Sequence, residues 1–226
     1  DYVATGHYAK IEKGEDGKYI LRASEAVKKD QSYVLYNFTQ EQLAHTLMPL
    51  GGYNKDWVRQ KAEELGLGVA HKPDSQEICF VEDDDYAKFI TDYSGYKPKE
   101  GDILDVNGNV IGKHRGLIYY TIGQRKGIGA YGRPMFVMKI DAENNTITLG
   151  EKGMEFSNEL TAYDVNFVSG EFPKENMLIT AKVRYQAPPA AAMLCPQKDG
   201  TVKLMFPEPQ RAVTPGQAVV LYDGDI

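Results

Sequence analysis

Ile103-Leu104-Asp105-Val106-Asn107-Gly108-Asn109-Val110-Ile111 is where the chain changes period. Apolar residues flank an Asn-Gly pair, the strongest short-range hairpin signal, because both residues tolerate the positive φ of a tight reversal. The pattern predicts a hairpin in which Asn107-Gly108 links a strand at 103–106 to one at 110–111. Beyond Gly95 the chain continues in this manner. A second hairpin is expected to fold 136–140 onto 146–149 through Glu143-Asn144-Asn145. From Ser157 onward, strands are expected at 160–165, 177–185, 191–195, 202–206 and 218–222, divided by Gly, Pro and Asp-Gly turns, the pattern of a small antiparallel β-barrel.

Upstream the pattern is mixed α/β. Residues 2–5 read as a buried strand, and 8–11 with 19–22 as a hairpin. Thr39 followed by Gln42 forms a capping box, with Leu43 and Leu47 as an i, i+4 face. Asn54 caps a second helix that runs to Leu65 and stops at Gly66, with Val58, Ala62 and Leu65 as its inner stripe. Glu82-Asp83-Asp84-Asp85 stands at the start of a short helix through Tyr93, where negative charge complements the helix dipole. Asp1 opens directly onto the strand-like 2–5, which predicts that the chain begins inside a parent domain. Asp225-Ile226 is expected to stop short of a last barrel strand and leave an edge unpaired.

A chain of 226 residues, 42% hydrophobic, can bury one large core or two to three small ones. No segment approaches the roughly 18 uninterrupted apolar residues of a membrane helix, and no signal peptide opens the chain, so a soluble cytoplasmic protein without a membrane partner is expected. The 2 cysteines are far apart and the 4 histidines scattered, which argues against a disulfide scaffold or a metal site.

The net charge of -6 argues against a generic nucleic-acid binder, yet residues 106–140 contain no acidic residue. They carry Lys113, Arg115, Arg125, Lys126, Arg133 and Lys139 among Tyr119, Tyr120, Tyr131 and Phe136, a mixture able to neutralise phosphates and stack bases, or to serve as a plain solvated face. Gly127-Ile128-Gly129-Ala130-Tyr131-Gly132 spells a dinucleotide string, but Arg133-Pro134 follows where a helix is required, so it reads as a glycine loop. Just before it, in Gln124-Arg125-Lys126-Gly127, Arg125 and Lys126 are adjacent cations on a Gly-flanked loop that could reach phosphates without crowding.

Cys79 lies between the polar Pro73-Asp74-Ser75-Gln76 and the apolar Phe80-Val81. A loop there could present a thiolate, while packing alone is an equally available role for so commonly buried a residue. Cys195 sits in a predicted strand and reads as packing. Gln31 in Lys29-Asp30-Gln31-Ser32-Tyr33 offers a donor and an acceptor to a base edge, or the cluster merely caps a turn. Arg184-Tyr185-Gln186 and the turn that exposes Gln217 are equally open to either role.

Taken in order, A-T-G-H-Y at 4–8, K-D-Q-S-Y at 29–33, D-S-x-x-I-C-F at 74–80, G-L-x-Y-x-T-I-G-Q-R-K-G at 116–127, R-Y at 184–185 and T-P-G-Q at 214–217 resemble the tRNA-specific 2-thiouridylase family. The resemblance spans nearly the whole chain. It implies the later part of a PP-loop (adenine nucleotide α hydrolase-like) α/β domain at 1–83, a small β-rich tRNA-binding domain at 84–156 and a C-terminal antiparallel β-barrel at 157–226. It also implies thiolation of the wobble uridine of tRNA at C2, with ATP as cosubstrate and Mg accompanying it. Cys79 would accept sulfur as a persulfide from an upstream sulfur-carrier protein. Gly6 falls on an ATP-binding position, and His7, Lys29, Asp30, Gln31, Arg184, Tyr185 and Gln217 on tRNA-binding ones.

In that chemistry ATP turns the uridine oxygen into a leaving group, and the sulfur nucleophile displaces AMP. A second thiol then attacks the Cys79 sulfur to release the transferred atom. The family's S-G-G-x-D-S loop and second catalytic cysteine are absent from these residues, and Cys195 does not stand in the matching motif, so the fragment alone is expected to be inactive. The competing reading is a non-catalytic RNA-binding β-barrel module in which Cys79 is structural.

Overall fold

The computed structural model describes residues 1–25, 29–71, 81 and 85–226. They form two compact units, one from 1–72, 158–208 and 217–226, the other from 73–157 and 209–216. Cys79 and the acidic run 82–84 lie outside the described residues.

The first unit opens on β1 (Val3–Ala4), followed by the hairpin β2 (Ala9–Lys13) and β3 (Tyr19–Ala23), which pair from Ala9↔Ala23 to Lys13↔Tyr19. Helix α1 (Gln40–Ala44) has both halves of its capping box: Thr39 Oγ1 accepts from the Gln42 amide at 3.3 Å, and Gln42 Oε1 accepts from the Thr39 amide at 2.9 Å. The helix is shorter than the expected Leu43/Leu47 face. The His45 amide turns back to the Gln42 carbonyl, and Leu47 leaves in β4 (Thr46–Leu47), which pairs in parallel with β1. Leu43 is fully buried beside Ala9, Leu21 and Leu35, whereas Leu47 is half exposed. Residues 2–5 are not the buried strand expected either: only two residues are strand, and Tyr2 and Val3 are about two thirds exposed.

Helix α2 (Lys55–Glu64) starts on the Asn54 side chain, which accepts from the Trp57 amide at 2.8 Å. It ends where the Leu67 amide returns to the Ala62 carbonyl and the Gly66 amide to that of Glu63, the two bonds of a Schellman motif. Val58 and Ala62 are half-buried, but Leu65 is exposed. It occupies the cap itself, where the chain has already left the inner stripe.

In the second unit, α3 (Tyr86–Ser94) is capped by Asp85, which accepts from the Lys88 amide at 2.9 Å. Strands β5 (Gly101–Leu104), β6 (Val110–His114), β7 (Met135–Asp141) and β8 (Thr146–Glu151) follow, in the spatial order β6-β5-β8-β7. Both predicted hairpins are present, and β5 pairs with β8 in parallel, a non-local match. The first loop differs in its turn. The Asp105 carboxylate accepts the amides of Asn107 and Asn109, and the Asp105 amide bonds to the Asn109 carbonyl, so the reversal starts earlier and spans 106–108. Gly108 then takes φ +86°, the left-handed residue that closes a three-residue hairpin loop. Ile103, Ile128, Met135, Val137, Ile147 and Leu149 form this unit's core.

The C-terminal strands are β9 (Phe156–Ala162), β10 (Met177–Lys182), β11 (Ala190–Pro196), β12 (Val202–Arg211) and β13 (Val220–Tyr222), ordered β13-β10-β11-β12-β9. Alternate residues point inward, placing Ile179, Ala181, Ala192, Leu194, Val202, Leu204 and Phe206 in one apolar core. Among the described residues the ladder ends at β13 and β9. Cys195 is half-buried in β11, opposite Lys203.

Candidate functional site

Tyr33 gathers residues from three separate parts of the first unit. It lies on a short 3-10 turn, Ser32–Leu35, and is buried to 5% exposure against Val220 and Tyr222. Its hydroxyl donates to the Ala218 carbonyl at 2.7 Å and accepts from Gln217 Nε2 at 3.3 Å. The Tyr185 ring meets it edge-on at 5.7 Å, and Lys182 Nζ lies 5.6 Å from both ring centroids. Burial pushes the Tyr33 phenol up, opposed by the Gln217 hydrogen bond and by the charge of Arg184. Tyr185 and Gln217 themselves are exposed. The result is an outward-facing ring, an amide and two cations on a buried tyrosine, a combination suited to stacking a base and meeting a phosphate.

The structure therefore brings together Arg184, Tyr185 and Gln217, three expected site residues. Tyr33 and Lys182 are not picked out by the sequence; the one signal is Tyr33's place at the end of Lys29-Asp30-Gln31-Ser32-Tyr33.

The preceding residues of that string are held by internal bonds. Asp30 accepts from the amides of Ser24 and Ser32 and from Ser32 Oγ at 2.7 Å. Ser32 Oγ also lies 3.2 Å from the Tyr222 hydroxyl. Gln31 Oε1 accepts from the Tyr8 amide at 3.0 Å, and the Gln31 amide donates to the Tyr8 carbonyl at 2.9 Å. These bonds tie Gly6-His7-Tyr8 to the Tyr33 turn. Lys29 is exposed, and His7 is half-buried with Nδ1 2.8 Å from Thr5 Oγ1.

Gly6 is exposed, and a Cβ there would touch only Leu50 Cδ1 at 3.6 Å, an ordinary contact. A single open glycine does not make a nucleotide cradle. Among the described residues no group of three or more His, Cys, Asp or Glu could hold a metal ion, and no helix is long and apolar enough to cross a membrane.

In the second unit, Arg125 and Lys126 are exposed on a loop shaped by Gln124. The Gln124 side chain accepts from the Thr121 amide and donates to the carbonyls of Tyr119 and Lys126, while the Gly123 amide and the Gln124 carbonyl bond to Val137 of β7. The glycine string enters no helix and runs instead into β7.

Residues 1–83 match the tRNA methyl transferase HUP domain, 87–151 the tRNA methyl transferase PRC-barrel domain and 157–226 the aminomethyltransferase beta-barrel domain. Along its whole length the chain is 57% identical to the tRNA-specific 2-thiouridylase MnmA of Acetivibrio thermocellus and 55% identical to that of Clostridioides difficile, spanning 64% and 63% of their lengths. It is 53% identical to tRNA-specific 2-thiouridylase MnmA 1 of Thermoanaerobacter sp., spanning 62% of it. The chain thus spans a little under two thirds of these curated relatives. With the three domain models matching in succession and relatives of one name aligned from end to end, the chain belongs to the tRNA-specific 2-thiouridylase family.

Proposed function

We propose that the protein is a cytoplasmic tRNA-uridine 2-sulfurtransferase that thiolates C2 of the wobble uridine. This chain supplies much of the tRNA-holding surface and the sulfur-carrying Cys79. The observation that carries the reading is the convergence of Tyr185, Lys182 and Gln217 on Tyr33, the last residue of the 29–33 string, because it assembles an exposed stacking ring, an amide and cations from segments far apart in sequence. Division of the work follows the domains 1–83, 84–156 and 157–226.

In this reading His7, Lys29, Asp30, Gln31, Arg184, Tyr185 and Gln217 form the tRNA-binding set. Asp30 and Gln31 act chiefly by fixing the backbone that presents their neighbours, since their side chains accept internal amides. Arg125 and Lys126 add phosphate contacts. A sulfur-carrier protein loads Cys79 as a persulfide, and the terminal sulfur goes to the uridine carbon. ATP, when bound, would supply the leaving group at that carbon, with Gly6 contributing one open backbone position. Release of the sulfur from Cys79 needs a second thiol. The other cysteine of these residues, Cys195, is a half-buried strand residue, so these 226 residues alone are expected to bind tRNA without thiolating it.

The test uses the full-length protein encoded by the gene, loaded with a cysteine desulfurase and cysteine. Mass spectrometry should find one added sulfur on the peptide containing Cys79, and Cys79→Ser should abolish thiolation while leaving tRNA affinity intact. A Cys79→Ser protein that still thiolates tRNA would sink the sulfur-carrier role, whereas wild-type protein that binds tRNA but never thiolates it would leave a non-catalytic RNA-binding module.

A further inference from the structure

The six cations of the acid-free stretch 106–140 differ in what holds them. Lys113 pairs with Asp102 at 2.5 Å, Arg133 with Glu151 at 2.8 Å and Lys139 with Asp141 at 3.0 Å, while Arg115 lies 4.0 Å over the Tyr119 ring. Arg125 and Lys126 have no acidic partner among the described residues. Beside Arg125 the loop opens a cleft of about 380 Å³, lined by Arg125, Ile128, Tyr131, Arg133, Met135 and the backbone between them. That volume falls in the range of small-ligand sites. No acidic residue lines it.

The lining is chemically differentiated. Ile128 and Met135 are buried and belong to the unit's core, so this wall is rigid. Arg133 is fixed at its rim by Glu151, whereas Arg125 can turn toward a ligand. Burial pushes the Tyr131 phenol up, so it remains a neutral O–H donor at pH 7, and it has no hydrogen-bond partner among the described residues. The Arg125 guanidinium, unpaired among the described residues, and an O–H donor, in a cleft whose lining has no acid, match a phosphate and the hydroxyl of an adjoining sugar, with Arg133 at the rim already neutralised by Glu151.

We propose that this cleft seats one phosphodiester and its ribose from the bound RNA, with Arg125 as the direct phosphate ligand and Tyr131 as the sugar or phosphate donor. The proposal rests on the RNA-binding reading above and adds to it a defined subsite. A strand of RNA fits better than a free anion because Lys126 stands outside the cleft wall and offers a second charge to a neighbouring phosphate.

The test titrates full-length protein with a fluorescent tRNA transcript at several salt concentrations. Arg125→Ala should weaken binding and reduce the slope of log K against log salt by about one. Ala130→Trp, at an exposed position on the cleft lining, should fill the space and weaken binding at least tenfold with every charge retained. Tyr131→Phe should weaken it a few-fold. Thermal unfolding confirms that each variant is folded, and Tyr185→Ala serves as the control in the other unit. Unchanged affinity and slope in Arg125→Ala and Ala130→Trp, with Tyr185→Ala weakened, would overturn the subsite and leave the RNA-binding reading standing. Wild-type protein that binds no tRNA removes both. Inorganic phosphate at constant ionic strength is the second probe: amide shifts at 127–132 with phosphate, but no effect of the variants on tRNA, would make this a free-anion site and overturn the proposal.

Discussion

Gln217 Nε2 donates to the Tyr33 hydroxyl at 3.3 Å, joining two residues 184 positions apart in the chain. The same hydroxyl donates to the carbonyl of Ala218, so one buried oxygen fixes both Ala218, two residues before β13, and the exposed amide beside it. The Tyr185 ring rests edge-on against the ring of the same side chain. A surface intended for a large flexible ligand gains from such fixing, because groups already ordered lose less entropy on binding.

Tyr33→Phe keeps the ring and removes the oxygen. The Ala218 carbonyl and the Gln217 amide then lose their partner, and about 1–3 kcal/mol of stability should go with them. Urea unfolding should show a lower midpoint at unchanged slope. Tyr33→Ala, which also vacates the space against Val220 and Tyr222, should cost about 3–5 kcal/mol.

Tyr185→Ala should weaken tRNA binding by about 1–3 kcal/mol, the usual worth of one base–aromatic stack, with little change in stability because the ring is exposed. Tyr185→Phe should bind nearly as well as wild type. Equal affinity in all three proteins, measured by anisotropy, would return this ring to ordinary surface.

The second unit should be sensitive to acid. Burial pushes the Glu155 carboxyl up, but the backbone amides of Glu155 and Gly153 and the Arg211 guanidinium outweigh it and hold the group below its ordinary 4.5. The Asn144 amide and Lys139 hold Asp141 down to about 2. A carboxylate lowered on folding adds stability above its unfolded pKa, and that stability is lost as the pH falls through the folded value. The melting temperature should therefore stay level near neutrality and decline from about pH 4.5 downward. Glu155→Gln should lower the neutral-pH melting temperature and flatten part of the decline; a melting temperature that rises on acidification would contradict this.

Gly101→Ala should damage the fold more than most single substitutions. A Cβ there would stand 2.0 Å from the Asn145 carbonyl and 2.4 Å from His114 Nε2. His114 is 1% exposed, its Nε2 lies 2.9 Å from the Asn145 oxygen, and its Nδ1 accepts the Gly116 amide at 3.1 Å, so neither neighbour can yield without breaking a buried bond. A loss of about 3 kcal/mol or more is expected. Thermal unfolding followed by circular dichroism measures it, and Gly68→Ala, where a Cβ meets nothing within 4 Å and φ is not positive, is the milder comparison.

Much of the local structure was legible. Thr39 with Gln42, Asn54 with Trp57, and the loop after Asp141 are written within three or four residues, and each folds much as its spacing predicts. Legibility ended where an element met a distant partner, or where two local signals competed. Leu47 has the spacing of a helix face but is drawn into a parallel pair with β1, and Leu65 has the spacing of an inner stripe but falls on the cap. The extra residue in the 106–108 loop follows from the Asp105 carboxylate gathering amides, which outweighs the plain Asn-Gly signal.

By itself the sequence determined most of the elements, their order and the family, because capping, turn chemistry and motif strings depend on neighbours along the chain. It also showed that 106–140 lacks acids, but not which of its cations are already held, since Asp102, Glu151 and Asp141 all come from outside that stretch. Only the tertiary structure placed Tyr185 and Gln217 on Tyr33 and left Arg125 beside a cleft. Those relationships depend on how strands and loops from remote parts of the chain pack, and no local pattern of side chains records that geometry.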